Sequence, residues 1–487
     1  MQHLSKATRR EFMKKAGALT VMQAAAPLAA SLTLMNNAAA QVAATPSDYK
    51  ALVCVFMYGA NDHYGTVVPY RQDMYDAYRK IRGDKTVVGD YSGIALLRET
   101  LLPLTSANSS VQHDHALHPA MDKMQALFKA GRAGIVLNVG PLIKPTTFEN
   151  FKNRFTTPWA LPPNLLSHNN QQAYWQTAFR GETAPTGWGG RMADLFLSDN
   201  KNANLTCVSV TGDALFLSGN YTISTKMSTA GVATMNPLNN SWSKTYGNDV
   251  AALDMIRALS TSSGQHMMTA NYANVMNRSL STYNTLANQL GTAALTDADV
   301  AYMPSAHGTE PTPLAEQLEM VARMIQQGSA MGMKRQVFMV GVGGFDLHDN
   351  LVSQHPKLLK MVSDACAEFD AAMVKMGLGN KVTTFTASDF GRTLSSNGDG
   401  SDHGWGSHHF VLGGAVNGGQ FYGTAPEIGL THPQSMGGGI LIPTTSLEQL
   451  FVPIAKWFGV ADGDMASVFP NADNFNTTAL SGLLKPT

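Results

Sequence analysis

Asp402-His403-Gly404-Trp405-Gly406-Ser407-His408-His409-Phe410 puts one carboxylate and three imidazoles into nine consecutive positions of a 487-residue chain that has only 14 histidines. Carboxylate oxygen and neutral imidazole nitrogen together suit Zn²⁺ and similar divalent ions. A plainer account exists, because Asp-His-Gly favours a tight turn and imidazoles can cap strand ends. What separates the two is whether other acidic and imidazole residues reach the same place. Asp62 (beside Asn61 and His63), Asp346 (two residues before His348) and Asp389 each close an apolar run. Carboxylates that converge repel one another unless a cation neutralises them, so convergence favours a metal over a set of unrelated turns and caps.

Three other groups could act beside such a cation. Ser167 precedes a run with helical spacing (Gln171, Tyr174, Trp175, Phe179). Its hydroxyl then sits at the positive end of a helix, where an attacked phosphoryl or sulfuryl oxyanion is stabilised, or it serves as an ordinary cap. Arg392, in Gly391-Arg392-Thr393, supplies a planar cation for an anionic substrate group or for Asp389 or another carboxylate. His113-Asp114-His115-Ala116-Leu117-His118 is a second imidazole cluster, and His118 before Pro119 also reads as a helix cap.

The elements that must position these residues follow from apolar periodicity. Lys50–Tyr58 is a continuous apolar run, a strand buried on both faces that delivers Gly59-Ala60-Asn61-Asp62 at its carboxyl end. Pro119–Arg132 has helical spacing and Ala133–Val139 is another buried strand, the order of a right-handed parallel crossover. Leu205–Val210, Gln336–Val342, Lys381–Thr386 and Phe410–Gly413 read as further strands, and Asn350–Met376 as a long helix. Ser446–Phe458 is an amphipathic helix with Leu447, Leu450, Phe451, Ile454 and Trp457 on its apolar face. The fold class is therefore α/β, a large, mostly parallel sheet flanked by helices, with the Asp402–His409 loop joining the acidic strand ends where functional residues of such sheets gather.

Residues 220–330 differ in character, being rich in Asn, Ser, Thr and Met, with helical spacing near Asn248–Leu259, His266–Leu290 and Pro313–Met331. They read as a helical insertion or cap between the two parts of the α/β domain, 41–219 and 331–487. Met267, Met268 and Met276 are assigned to core packing.

The first forty residues form an address. Thr8-Arg9-Arg10-Glu11-Phe12-Met13-Lys14 has the twin-arginine export pattern, an Ala-rich apolar stretch runs from Ala16 to Met35, and Ala38-Ala39-Ala40 offers a cleavage site. An uncleaved anchor is disfavoured by Gln23, Pro27 and the alanines. The expectation is a partnership with the twin-arginine export machinery, then, after cleavage, a periplasmic or secreted protein with no membrane attachment. Without the five basic residues and one acidic residue of the leader the net charge is −4, which makes no electrostatic case for nucleic acid. Cys54, Cys207 and Cys366 are too few and too scattered for a disulfide framework and read as buried thiols. No Gly-x-Gly-x-x-Gly follows a strand, which leaves a dinucleotide-dependent redox enzyme without its fingerprint.

The motifs together resemble domain-of-unknown-function family 1501. They are the twin-arginine leader, Tyr58-Gly59-Ala60-Asn61-Asp62, Ser167-His168-Asn169-Asn170-Gln171 before Trp175, and Gly343-Gly344-Phe345-Asp346-Leu347-His348. Ser388-Asp389-Phe390-Gly391-Arg392-Thr393, the Asp402–Phe410 segment, Ile442-Pro443-Thr444-Thr445 and Val468-Phe469-Pro470-Asn471 complete the set. The resemblance implies a fold similar to the alkaline phosphatase and sulfatase superfamily, with metal ligands at the carboxyl edge of the sheet. It implies Asp62 as an N-terminal ligand, Asp346 with His348 as a second pair, Asp402 with His403 as an Asp-His pair, and His408 or His409 as a late histidine. Ser167 takes a place similar to the nucleophile. Asp389, where many relatives carry Glu, and the tight Asp346-x-His348 spacing depart from the pattern. The resulting expectation is an exported hydrolase of small-molecule or polymer phosphate or sulfate esters. One or two divalent ions, Zn or Mn, are held by Asp62, Asp346, His348, Asp402, His403 and His408, with Ser167 attacking, Arg392 holding the anion and His409 moving a proton. The alternative is a non-catalytic periplasmic or cell-surface binding protein that keeps the fold.

Overall fold

The computed structural model describes residues 48–486, apart from 84–92, 107–113, 179–183, 232–249, 265, 291–294 and 308. The twin-arginine leader, His113 and Phe179 lie outside the described residues. Residues 45–487 belong to one compact unit.

The apolar run at the start becomes β1 (Lys50–Met57), the middle of the main sheet. The other strands are β2 (Ala133–Gly140), β3 (Cys207–Ser209), β4 (Thr225–Lys226), β5 (Arg335–Val342) and β6 (Val382–Ser388). A short hairpin, β7 (Arg392–Ser396) with β8 (Ser401–His403), precedes β9 (Ser407–Leu412), β10 (Phe421–Tyr422) and β11 (Thr445–Ser446). The sheet order is β10-β2-β9-β6-β1-β5-β3-β4, with β11 also on β2. β1 pairs in parallel with both β5 and β6, Val53 standing opposite Phe338 on one side and Thr384 on the other. β9 runs antiparallel to β2 and β6. The sheet is therefore large and mostly parallel.

Alternation along β1 shows why the run is apolar throughout. Ala51, Val53, Val55 and Met57 join one core, and Leu52, Cys54 and Phe56 join another on the opposite face. Helices α1 (Gln72–Arg82), α2 (Asp122–Lys129), α3 (His168–Thr177) and α4 (Trp188–Asp194) precede an outlying pair, α5 (Val250–Thr261) and α6 (Met267–Leu290). Then come α7 (Pro313–Gln326), α8 (Leu351–Lys375) and α9 (Leu447–Phe458). Helices α2, α7 and α8 line the first core, and α4 and α9 line the second. Although α7 falls within 220–330, it packs on β5 and α8 in the main helical layer. The three cysteines are buried and unpaired. Met267 and Met268, assigned above to core packing, are instead 74% and 72% exposed, because α5 and α6 stand against each other with their outer sides uncovered.

Helix α9 starts at a capping box, Ser446 with Gln449. It is buried almost all round, since Leu480, Leu483 and Leu484 of the C-terminal segment join the core that holds its apolar face. Leu450, Phe451, Ile454 and Phe458 are fully buried, each contributing about 1.5–3 kcal/mol. That enclosure traps Glu448, whose Oε1 accepts a hydrogen bond from Asn471 (3.0 Å). Burial pushes its carboxyl up to about 7, against the opposing pull of its hydrogen bonds. A carboxyl raised in the folded state holds its proton more tightly there than in the unfolded chain, so stability is lost as pH rises from about 4.5 to about 7. Glu448→Gln is expected to remove this loss, about 3 kcal/mol at most. Denaturant midpoints of the two proteins across that pH range check it, and parallel curves refute it.

Candidate metal site

The cluster is assembled from three strand ends and one helix start. β5 ends at Val342 and the chain turns through Gly343 and Gly344 to Asp346. Gly59, just beyond β1, has φ +106°, and a Cβ there would lie 2.5 Å from the backbone nitrogen of Asp346. The glycine is what lets the two strand ends approach. β6 ends at Ser388, which places Asp389 at the same rim. The β7–β8 hairpin then returns Asp402 and His403, while α3 brings His168 as its first residue, directly after Ser167.

His168, Asp346 and His403 converge, each offering one ligand atom within 4.8 Å of the others. The two Nε2 atoms lie 3.1 Å apart. Each is 3.4 Å from an oxygen of Asp346, His168 from Oδ2 and His403 from Oδ1. Ligands about 2.0–2.1 Å from a tetrahedral Zn²⁺ stand roughly 3.3 Å from one another, close to these separations.

The hydrogen bonds behind the rings fix what the front atoms can do. His403 Nδ1 faces the Leu166 carbonyl at 2.8 Å, which can only accept, so Nδ1 donates. His168 Nδ1 donates to Asp389 Oδ2 at 2.6 Å, an oxygen that also accepts from Gln172 Nε2 at 2.8 Å. Partial burial, opposed by the Leu166 bond, draws the His403 ring below its ordinary value and favours its neutral form. In neutral rings both Nε2 atoms then present lone pairs to each other and to a carboxylate, and three electron-pair donors facing inward favour a cation between them. Carboxylate or carbonyl partners on the far nitrogen are the usual outer support of metal-binding histidines. Burial raises the Asp389 carboxyl, while its bonds to Gln172 and His168 pull the other way.

Arg392 is fully buried; its Nη1 donates to Asp346 Oδ1 at 2.6 Å and its Nη2 to the Ser401 carbonyl. Partial burial works to raise the Asp346 carboxyl, but this bond and the charge of Arg392, with His168 and His348, hold it below the usual carboxylate range. At the outer edge His348 lies between Asp346 Oδ1 and Asp402 Oδ1, 3.1 Å from each. Asp402 also accepts from Asn397 Nδ2 at 2.9 Å. Asp346, His348 and Asp402 all keep solvent-accessible side chains, so the cluster opens to the outside.

Four residues of the sequence expectation therefore meet here: Asp346, His348, Asp402 and His403. The others are placed elsewhere or are already engaged. Asp62 is buried, and both its oxygens are held by Arg82, at 3.1 and 2.5 Å. His408 and His409 are not in a loop: they lie inside β9, whose antiparallel course carries them back into the sheet. His408 Nδ1 accepts from the Asn138 amide (3.0 Å). The ring of His409 packs against Trp175, burial draws it down to about 3, and it is sealed from solvent, unsuited to proton transfer with a substrate. Arg392 braces Asp346 rather than presenting a free fork to an anion. Ser167 does occupy the N-cap position of α3, but its Oγ donates to Asn170 Oδ1 (3.0 Å), an amide oxygen that cannot serve as a base. His118 is buried and its Nδ1 accepts from the Ala120 amide (2.9 Å).

The sequence expectation omits His168, although it lies beside Ser167 in the quoted motif. The signal was an imidazole at the first position of a helix, easily taken for part of the cap. In the sequence Asp389 reads as an acidic strand end, whereas in the structure it is the partner of His168.

Asp389→Asn is expected to leave the fold intact and weaken divalent-metal binding by about 10–100-fold, because the amide can present its NH₂ to Nδ1 and disturb the tautomer. Competition with a chromophoric chelator measures it; an unchanged affinity would show that Asp389 has no part in holding the ring.

A family model described as "Protein of unknown function (DUF1501)" matches residues 49–468. No curated protein matches the chain. Among solved structures, the chain is similar to the lipoteichoic acid synthase LtaP from Listeria monocytogenes, at 9% identity and TM-score 0.32, over 90% of this chain and 79% of that one. It is also similar to the PsFucS1 sulfatase from Pseudoalteromonas sp., at 10% identity and TM-score 0.33, over 90% and 74% of the two chains. These likenesses are loose and say nothing of activity. Among the described residues no helix is long and apolar enough to cross a membrane.

Proposed function

The chain belongs to the DUF1501 family, and from its own geometry we propose that it is an exported, metal-dependent hydrolase of phosphate or sulfate esters. The observation that carries this reading is the inward convergence of His168 Nε2, His403 Nε2 and the Asp346 carboxylate. Two uncharged imidazoles and one carboxylate leave a divalent ion, Zn²⁺ or Mn²⁺, with residual positive charge, which favours an anionic substrate. When bound, such an ion acts as a Lewis acid toward the ester's phosphoryl or sulfuryl oxygens. Asp389 and the Leu166 carbonyl hold the two rings in the tautomer that leaves Nε2 unprotonated. Arg392 fixes the Asp346 carboxylate from behind. His348 and Asp402, at the exposed edge, are the residues positioned to meet the part of a substrate that projects outward. This arrangement does not depend on Ser167.

Two features favour a second reading, a metal-dependent anion-binding protein without turnover: Ser167 Oγ donates to the amide oxygen of Asn170 rather than to a base, and His409 is sealed in the sheet. Mature protein purified after export, assayed for metal and against a panel of phosphate and sulfate esters with and without a chelator, separates the two. Hydrolysis that is lost on chelation and restored by Zn²⁺ or Mn²⁺ is the expected result. Bound metal with anion retention but no turnover supports the second reading, and protein without bound metal removes both.

A further inference from the structure

After β2 the segment 144–159 carries four aromatic rings, Phe148, Phe151, Phe155 and Trp159, and three cations, Lys144, Lys152 and Arg154, against one carboxylate, Glu149. Its charge of +2 stands out in a chain whose net charge without the leader is −4. Among the described residues none of the three cations is in an ion pair. Two of them are held by rings instead. Lys144 Nζ lies 3.6 Å from the ring centre of Trp159, whose Nε1 donates to Thr146 Oγ1 (3.1 Å). The Arg154 guanidinium lies 4.0 Å from the ring centre of Phe151 and 4.3 Å from that of Phe155, and its Nη1 donates to the Phe151 carbonyl (2.6 Å). An aromatic face orients a cation without cancelling its charge, whereas a carboxylate does both.

The segment shares its packing with the candidate metal site. Phe148, Phe151 and Leu166 pack on one small core of Leu142, Trp405 and Ile442, and the Leu166 carbonyl is the acceptor for His403 Nδ1. A cavity of about 590 Å³ lies at the start of the short helix Phe148–Lys152, lined by Thr147, Phe148 and Glu149 and by His432, Pro433 and Met436. That volume is within the ~300–1,000 Å³ of ligand pockets. Its apolar side chains suit the C–H faces of a sugar ring, and Phe155, 84% exposed, offers a further face of that kind. Oriented, uncompensated cations beside them suit sulfate or phosphate groups carried on the same chain. An anionic lipid surface fits less well. It takes a helix with a broad apolar face to bury, and this helix has five residues. Phe151, Phe155 and Trp159 also each lie against a cation already.

We propose that residues 144–159 and the adjoining cavity form a binding surface for an anionic polysaccharide, a sugar chain bearing sulfate or phosphate groups. Lys144 and Arg154 meet the anionic groups, and Phe155 and the cavity take sugar rings. That the bound chain is the substrate of the metal site rests on the hydrolase reading; the binding surface itself does not.

The test is fluorescence anisotropy of labelled dextran sulfate and dextran phosphate with the full mature chain, after chelation so that neither metal nor turnover contributes. Binding of either charged dextran, but not of uncharged dextran, is the expected result, and it should weaken as salt is raised. Lys144→Gln/Arg154→Gln should raise the dissociation constant about tenfold and Phe155→Ala about threefold. Lys360→Gln, which alters a cation on α8 paired with Asp364, should leave it unchanged. Circular dichroism checks that the variants are folded; where the double variant is not, Phe155→Ala decides in the same way. An unaltered chain that binds neither charged dextran overturns the proposal, as does a folded double variant that binds as tightly as the unaltered chain. Equal binding of polyacrylate, a polyanion without sugar rings, overturns it too. Tighter binding of phosphatidylglycerol vesicles assigns the surface to lipid and likewise overturns it. A chain that binds dextran sulfate and hydrolyses no ester upholds the surface and removes only the hydrolase reading.

Discussion

Substituting His168 by alanine is expected to reduce bound divalent metal from about one equivalent to less than about a tenth, with loss of any metal-dependent ester hydrolysis. The reason is geometric. His168 Nε2 is 3.1 Å from His403 Nε2, and without it a cation keeps one imidazole and one carboxylate whose Oδ1 is already engaged by Arg392. Loss of an outer partner costs about 10–100-fold in affinity, so loss of a direct ligand should exceed that range. His408→Gln is the matching control: its Nδ1 is bonded to the Asn138 amide inside the sheet, so the metal content should not change. The sequence expectation gives the opposite order, with His408 as a ligand and His168 absent, so elemental analysis of the two variants decides between them. A second possibility is decided by the same measurement. Two imidazoles 3.1 Å apart can share a proton in place of a metal. In that case the unaltered protein contains no stoichiometric metal and His168→Ala changes nothing in its elemental content.

How much of this was legible in the sequence depends on the length scale of each signal. The strands and long helices were legible because a buried parallel sheet imposes continuous apolar runs, as in Lys50–Met57, and a helix imposes a period, as in Leu351–Lys375. The strand-end carboxylates Asp346 and Asp389 could be placed at one rim for the same reason. Strand direction was not legible. Phe410–Gly413 reads as a strand whichever way it runs, and only its antiparallel pairing with β2 carries His408 and His409 into the sheet. Asp62 shows a different limit. An acidic residue at a strand end has the same sequence signature whether its partner is a metal or a guanidinium, and here Arg82, twenty residues away on α1, takes both oxygens. The exposed methionines of α6 show a third limit. Periodicity records that a face is apolar and does not record what covers it.

That buried Arg82–Asp62 pair leads to the largest expected effect on stability. Its side chains are 0% and 2% exposed, and Arg82 also lies 5.6 Å from the ring centre of Tyr78. Arg82→Met should cost about 3–5 kcal/mol, because it leaves a carboxylate in the interior without its counter-charge. The dependence on pH should also reverse. In the unaltered protein burial pushes the Asp62 carboxyl up, but Arg82, with His355 and Arg392, outweighs it and holds the group below its ordinary 3.8. A carboxyl depressed by folding contributes stability that is present above its unfolded value and lost as pH falls through the folded one. In Arg82→Met only the weaker pull of His355 and Arg392 still opposes burial, the carboxyl rises, and the variant should instead lose stability as pH rises above about 4. Adding Asp62→Asn removes the titrating group, so Asp62→Asn/Arg82→Met should show neither slope and should recover part of the loss. Urea midpoints for the three proteins across the acidic range provide the comparison. If Arg82→Met keeps the slope of the unaltered protein, the guanidinium is not what holds Asp62 ionised, and the metal-ligand role expected from its place at the end of β1 becomes open again.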